Sequence, residues 1–268
     1  MFSRWFRRPE AVGTAAVERP RVDGRPARVP AGVRVYAIGD VHGRLDLYRE
    51  LEERILEDLA RDRRLVDPVV VHLGDYVDRG LHSRQLLDHI LHQSRLADCP
   101  RVFLRGNHDL WMRLFVGGEL AVGADWLGWG GDATVASYGV PPRPDLPEEE
   151  RIAELQRRFA ERVPPAHLRF LDALEDAFVL GDYFFCHAGV RPGVPLAEQS
   201  PEDLLWIREP FLSWRGDPGK VIVHGHTVSE QPVVRRNRIG IDTGAYITNR
   251  LTALVLEGEE FRFLTAGG

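Results

Sequence analysis

Lysine is nearly absent from this sequence: of 35 basic residues only Lys220 is a lysine, and the other 34 are arginines. No single arginine is therefore informative without a motif around it. Cysteine is scarce as well. Cys99 and Cys186 are the only two, too few for a disulfide-dense scaffold or a four-thiolate zinc site. No apolar run approaches the roughly 20 residues needed to cross a bilayer. A basic excess is missing too: 40 acids outnumber the bases and leave a net charge of −5, which gives no support for nucleic-acid binding. What remains, 44% hydrophobic and 28% charged residues over 268 positions, suits one soluble globular domain with a core that needs no covalent staples.

The charge is unevenly spread. Residues 1–30 carry seven arginines and three acids, a net of +4, so the rest carries −9. With Pro9, Pro20, Pro26 and Pro30 and no apolar period, residues 1–31 read as a flexible basic tail. Met1–Arg8 mixes aromatics with arginines, a composition that can touch anionic lipid, but eight residues make too short an anchor and a solvated tail is favoured. No apolar stretch of the secretory type follows the first arginines. Cytoplasmic residence with reduced cysteines is the expectation.

Residues 32–268 read as one α/β domain. Val33–Ile38, 69–73 and 101–104 are strand-like, each running into a polar loop, and the first two lead on to helical patterns over about 45–59 and 83–93. That order favours parallel pairing with crossover helices, and reactive groups in such sheets sit just past the carboxyl ends of strands. The second half is richer in strands, at about 178–180, 183–186, 221–223, 238–241, 251–256 and 261–264. Between the halves, about 110–177 reads as a helical, lid-like insertion.

Five polar segments fall at predicted strand ends: Gly39-Asp-Val-His-Gly43, Gly74-Asp-Tyr-Val-Asp-Arg-Gly80, Arg105-Gly-Asn-His-Asp109, Cys186-His-Ala-Gly189 and His224-Gly-His-Thr227. Their side chains supply Asp40, His42, Asp75, Asn107, His187 and His226. This set of oxygen and imidazole ligands, with no obligatory thiolate, suits manganese, iron, zinc or magnesium rather than copper(I) or an iron–sulfur cluster. Two ions need one shared ligand, and Asp75 is the candidate. A pair of ions roughly 3.5–4 Å apart can deprotonate a bridging water and neutralise phosphoryl oxygens. His108, not needed as a ligand, fits a proton donor to the leaving oxygen, with Asp78 to orient it. Arg79 offers a planar fork for phosphate.

These motifs, in this order over about residues 33–256, strongly resemble the calcineurin-like metallophosphoesterases, and more narrowly the bacterial and phage phosphoprotein phosphatases. The resemblance implies a metallophosphoesterase fold of two stacked mixed β-sheets flanked by helices. It implies that Asp40 and His42 hold one divalent ion, that Asp75 bridges, and that Asn107, His187 and His226 hold the second, with Mn2+ the first choice. His108 and Asp78 match an acid dyad, and Arg79 and Arg105 match arginines beside the site. Arg208 is the best match in the second half for a further phosphate contact. The implied activity is that of a two-metal phosphomonoester hydrolase, a serine/threonine phosphoprotein phosphatase acting by direct attack of a metal-bridging hydroxide. Its partner is then a phosphorylated protein or a small phosphoester, with no nucleic acid and no stable membrane insertion. Asp242-Thr-Gly-Ala-Tyr246 is instead similar to a segment of symmetrical dinucleoside tetraphosphate hydrolases, so such a hydrolase, or a related nucleotide pyrophosphohydrolase, is the alternative. An inactive binding module is the third reading.

Plainer readings stand beside these. Asp and Asn after a strand often cap helices, which would explain one cluster but not five with complementary ligands. His72 reads as packed, and His82, His89, His92 and His167 as surface. Strand alternation brings His224 near the ions in a supporting role. Cys186 reads as a buried inert thiol, and Trp126–Gly131 as structural turns and core tryptophans outside the site.

Overall fold

A computed structural model describes residues 18–62 and 66–268. The first described elements are the two-residue strands β1 (Arg21–Val22) and β2 (Arg25–Pro26), paired as a small antiparallel ribbon. Over residues 18–31 this departs from the expected flexible tail, whose remaining residues lie outside the described ones. Val22, Ala27 and Val29 are buried, the Arg25 guanidinium pairs with Asp182 at 2.5 and 2.9 Å, and the Val29 N–H reaches the carbonyl of Gly258. Three small apolar residues spaced among prolines, with these polar contacts, dock this stretch, although average composition hides them. The reading made for Met1–Arg8 lies outside the described residues.

Two five-stranded sheets form the body. The chain continues through β3 (Val33–Ile38), α1 (Leu45–Asp62), β4 (Asp67–His72), α2 (Ser83–His92), β5 (Arg101–Phe103) and α3 (Asn107–Val116). The insertion follows, with α4 (Gly123–Trp126), a wide turn of helix over Leu127–Gly131, α5 (Asp132–Ser137), α6 (Glu148–Ala160) and α7 (Pro165–Asp172). Then come β6 (Ala177–Leu180), β7 (Tyr183–Cys186), α8 (Pro201–Trp206), β8 (Val221–His224), β9 (Val233–Val234), β10 (Arg238–Gly240), α9 (Ala245–Thr248), β11 (Arg250–Glu257) and β12 (Glu260–Gly267). The sheet orders are β12-β11-β3-β4-β5 and β6-β7-β8-β10-β9, and both sheets are mixed.

Period-two alternation sorts the side chains into layers. Val35 and Ala37 of β3, with Tyr183 and Phe185 of β7 and Val221 and Val223 of β8, fill the core between the sheets. Tyr36 and Ile38 face the opposite way, toward α1, α2 and the insertion. Phe184, Cys186 and Ile222 face the helix side of the second sheet with Leu204 of α8. Cys186 is fully buried, and burial pushes its thiol far above its ordinary range, so it is inert as expected.

Two histidines expected at the surface are buried. His89 meets Glu52 at 2.6 Å, and His167 bridges Tyr138 and Asp88. Both lie where helices pack on one another, and a polar partner lets an imidazole be buried there at little cost. His224 packs against Phe211 and Arg238 instead of facing the predicted ligands. Among the described residues, no helix is long and apolar enough to cross a membrane.

The architecture positions the polar motifs. β3, β4 and β5 run parallel, as do β7, β8 and β10. Loops leaving their carboxyl ends carry Asp40-His42, Asp75-Asp78, Asn107-His108, His187 and His226, and a sixth carries Asp242. Parallel strands aim successive loops at one edge, so residues far apart in sequence meet there.

Candidate active site

Holding compact polar loops at one edge requires unusual backbone. Among the described residues seven non-glycine residues have positive φ, and five of them are His42, Asp75, Asp78, Arg79 and His226. Such conformations cost of order 1–3 kcal/mol each and persist only where surrounding contacts impose them. Asp109 supplies many of those contacts. Its carboxylate accepts the N–H groups of Asp75 (2.8 Å), Tyr76 (3.0 Å) and Gly106 (2.9 Å), tying the Asp75 loop to the start of α3. Gly106 lies so close that a Cβ there would collide with the Asp75 carboxylate, and a Cβ on Gly225 would collide with Asp40. These two glycines let backbone pass directly behind the acids.

The imidazoles are aimed. His42 Nδ1 lies 2.8 Å from the carbonyl of Val77, and His187 Nδ1 lies 2.9 Å from that of Leu73. A carbonyl only accepts, so each ring carries its proton on Nδ1 and presents a bare lone pair at Nε2. Burial holds His42, His187 and His226 below their ordinary imidazole range, in the neutral form that binds metal. His187 Nε2 and His226 Nδ1 converge on Asn107 Oδ1 at 2.9 and 3.0 Å, while His42 Nε2 and His187 Nε2 lie 3.5 Å from Asp75 Oδ2.

Lone pairs facing lone pairs at such distances call for a cation between them. The carboxylates make the same demand. Asp40 accepts the His226 N–H through Oδ2, but its Oδ1 is buried without a hydrogen-bond partner. Burial and the neighbouring Asp242 and Asp75 push the Asp40 carboxyl well above its usual range, and burial lifts Asp242 to about 6. Donor atoms of Asp75, His187 and His226 lie within 4.8 Å of one another, as do those of Asp75, His42 and His108. Asp75 belongs to both groups. The residues present therefore fit a pair of hard or borderline divalent ions.

His108 belongs to one group by distance but is otherwise engaged. Its Nδ1 lies 2.7 Å from Asp78 Oδ2, and Arg79 Nη2 approaches Nε2 at 3.1 Å. Burial alone would lower this imidazole, but the Asp75 and Asp78 carboxylates outweigh it and hold it above its ordinary value. Asp78 is enclosed. Trp126 Nε1 donates to Oδ2 at 2.8 Å, and the Thr134 hydroxyl donates to Oδ1 at 2.7 Å. Those two donors come from the insertion, which also lends the Gly130 carbonyl to the Arg79 N–H.

Ten of the eleven residues selected from the sequence therefore converge. They meet at or just behind a cavity of about 200 Å³ whose lining includes Arg79, Asn107, His108, Arg208 and His226. Arg105 is the exception. Its guanidinium is held by Asp176 at 2.8 Å and by the Leu174 carbonyl at 2.9 Å, away from the cavity, because Asp176 enters β6 beside it. Seven residues at the site were not selected from the sequence: Asp109, Trp126, Trp129, Thr134, Trp206, Asp242 and Tyr246. The Trp126–Gly131 segment, set aside as structural, contributes both the donor to Asp78 and the Trp129 edge of the cavity. Tyr246 lies under the Arg79 guanidinium at 4.5 Å.

Comparison with known proteins agrees with this geometry. Residues 33–251 match the family model for calcineurin-like phosphoesterases. The chain is 29% identical over 247 residues to a protein of Halalkalibacterium halodurans named bis(5'-nucleosyl)-tetraphosphatase PrpE [asymmetrical], covering 84% of this chain and 90% of that one. It is 27% identical to a Bacillus thuringiensis protein of the same name, covering 81% and 88%. A crystal structure provisionally described as a diadenosine tetraphosphatase shares the fold, with a TM-score of 0.57 at 20% identity over 94% of this chain and 99% of that one. With the site's residues and these likenesses in hand, the chain belongs to the calcineurin-like phosphoesterase family and is a metal-dependent phosphoester hydrolase.

Proposed function

We propose that this enzyme is a two-metal hydrolase of small nucleotide phosphoesters, with a bis(5'-nucleosyl) tetraphosphate cut asymmetrically as its substrate. The observation that carries the chemistry is the His108–Asp78 dyad standing against a cluster of buried lone pairs that a pair of divalent cations would reconcile. The substrate class rests on curated relatives that span more than four fifths of both chains and carry that name. It differs from the phosphoprotein substrate and from the symmetrical cut expected from the motifs.

Asp40, His42, Asp75, Asn107, His187 and His226 would hold the ions, with manganese the first to test. When bound, the ions supply Lewis-acid activation of water and neutralise charge on phosphoryl oxygens. The chain's own residues do the rest. His108 delivers a proton from Nε2 to the leaving oxygen while Asp78 keeps the ring oriented through Nδ1. Before substrate arrives, Arg79 sits against that same Nε2. A phosphoryl group draws the guanidinium onto its own oxygens, which frees Nε2 to carry the proton. Arg208, at the cavity mouth with one nitrogen 3.3 Å from the His226 carbonyl, is the second fork for phosphate.

Asp78 favours a second reading. The similarity to symmetrical dinucleoside tetraphosphate hydrolases stops at this motif, because that group lacks an aspartate before the arginine, so phosphoserine or phosphothreonine peptides are the competing substrate. Product analysis separates the two. The metal-loaded enzyme is expected to convert bis(5'-adenosyl) tetraphosphate and water to ATP and AMP. Two molecules of ADP would mean a symmetrical cut. Turnover of a phosphopeptide with none of the dinucleotide would overturn the proposal.

A further inference from the structure

Half of the six tryptophans in this chain meet at one place. Trp111 of α3 and Trp129 of the Leu127–Gly131 turn stack with ring centroids 4.6 Å apart and planes 22° apart. Trp206, the last residue of α8, lies 5.2 Å from Trp111 and 5.9 Å from Trp129. Folding normally hides such rings. Here Trp129 is 49% exposed, and Trp111 and Trp206 are only partly buried. The patch is contiguous with the phosphate chemistry: Trp129 and Trp206 line the cavity, 6.5 Å from the His108 ring and 6.4 Å from the His226 ring respectively.

The backbone locks this platform to the phosphate side. Gly130 has φ of 109° and packs on Arg79, where a Cβ would sit 2.8 Å from Arg79 Cγ, and the Gly130 carbonyl accepts the Arg79 N–H at 3.0 Å. Trp129 and Arg79 therefore hold a fixed spacing. A ligand that carries both a phosphate and a planar ring can engage the two together without reorganising either. A phosphoserine or phosphothreonine side chain has no ring to offer. The arginines at the cavity suit a chain of phosphates better than a single one.

From this juxtaposition we infer that Trp129, backed by Trp111 and flanked by Trp206, is a stacking subsite for the nucleobase of the substrate. The inference rests on the nucleotide reading above and adds to it the residues that take the base. It also fixes a selectivity. Stacking uses the π-face that every base has, and no polar side chain is needed in the platform, so adenine and guanine substrates should be handled nearly alike.

The test compares two ligands that differ only in the base. Binding of AMP and of ribose 5-phosphate to the metal-loaded enzyme is measured by calorimetry for the wild type, Trp129→Ala and Trp129→Phe. The wild type is expected to prefer AMP, and Trp129→Ala should weaken AMP by about 5- to 100-fold, at least several times more than it weakens ribose 5-phosphate. Trp129→Phe should recover most of the loss. KM for the dinucleotide should rise in parallel with the AMP effect, with kcat less affected. Equal weakening of both ligands by Trp129→Ala, or a wild type indifferent to the base, would sink the stacking subsite even if the dinucleotide is still turned over. A wild type that spares the dinucleotide but cleaves phosphotyrosine peptide in a Trp129-dependent way would assign the platform to a tyrosyl ring, overturning both the base assignment and the nucleotide reading.

Discussion

On one side of the cavity, side chains are aimed by backbone: tight loops past parallel strands, five residues in left-handed conformations and two glycines pressed behind carboxylates. On the other side, α3, α8 and the insertion present tryptophans and a threonine from helical segments, and these are aimed by packing. The first side is stiff and costly, and it holds metal-type donors in place with Asp40 Oδ1 left unpaired. The second leaves an indole half in solvent. This division suits a metal-dependent hydrolase. Coordination needs donors held to fractions of an ångström, whereas recognition of a planar group needs only a flat surface at the right height. Mutations should therefore be severe on the first side and graded on the second.

The sharpest test of that contrast is Asp75→Asn. The change preserves shape but removes the charge shared by both donor groups. Bound metal, measured by elemental analysis, is expected to fall together with turnover to background. Retention of two equivalents of metal would mean that Asp75 is not the shared ligand.

Next in size is His108→Ala, expected to lower turnover by about 10²- to 10⁴-fold, the usual range for a general acid, while leaving metal content unchanged. The pairing of lost rate with retained metal is what separates a proton donor from a ligand here, because His108 lies within ligand distance of His42 and Asp75. Loss of metal in this variant would move His108 to the coordinating set.

The same contrast explains what could be read from the sequence. That Asp40, His42, Asp75, Asn107, His187 and His226 would come together was legible because each lies beside or within two residues of a glycine in a short motif at a strand end. The strands themselves were legible from their alternation, with Val33–Ile38 recovered to the residue. The supporting wall was not. Trp126, Trp129 and Thr134 lie within helices, and a tryptophan facing a carboxylate carries the same letter as one in a core. Arg105 failed for a related reason: among 34 arginines, adjacency to a motif says nothing about where a long side chain goes, and Asp176 captured it. Residues 18–31 were misread because docking depends on a few particular contacts, three apolar side chains and the Arg25–Asp182 pair among them, whereas composition averages over thirty.

Trp126→Phe and Thr134→Val probe the seam between the two sides. Each removes one donor from the buried Asp78 carboxylate and keeps the bulk. A hydrogen bond to a buried charge contributes about 1.5–3 kcal/mol, so each variant should unfold at lower denaturant concentration. Turnover should fall by roughly tenfold if half or more of that loss appears in the transition state. An unchanged rate with lowered stability would confine these residues to holding the insertion in place.

The smallest effect is expected at Tyr246, on a short helix that belongs to neither set. Its ring lies 4.5 Å beneath the Arg79 guanidinium and edge-on to His42. If Arg79 must leave His108 for the substrate phosphate, the ring is what keeps the guanidinium in the cavity during the exchange. Tyr246→Leu should then raise KM by about two- to fivefold, the equivalent of a cation–π contact of about 0.5–1 kcal/mol. Tyr246→Phe retains the aromatic face and should behave as the wild type. A similar loss in both variants would point to the hydroxyl, and would remove the ring from any part in positioning Arg79. A drop in bound metal in Tyr246→Leu alone would show that the ring acts through His42, which would place Tyr246 with the stiff side of the site after all.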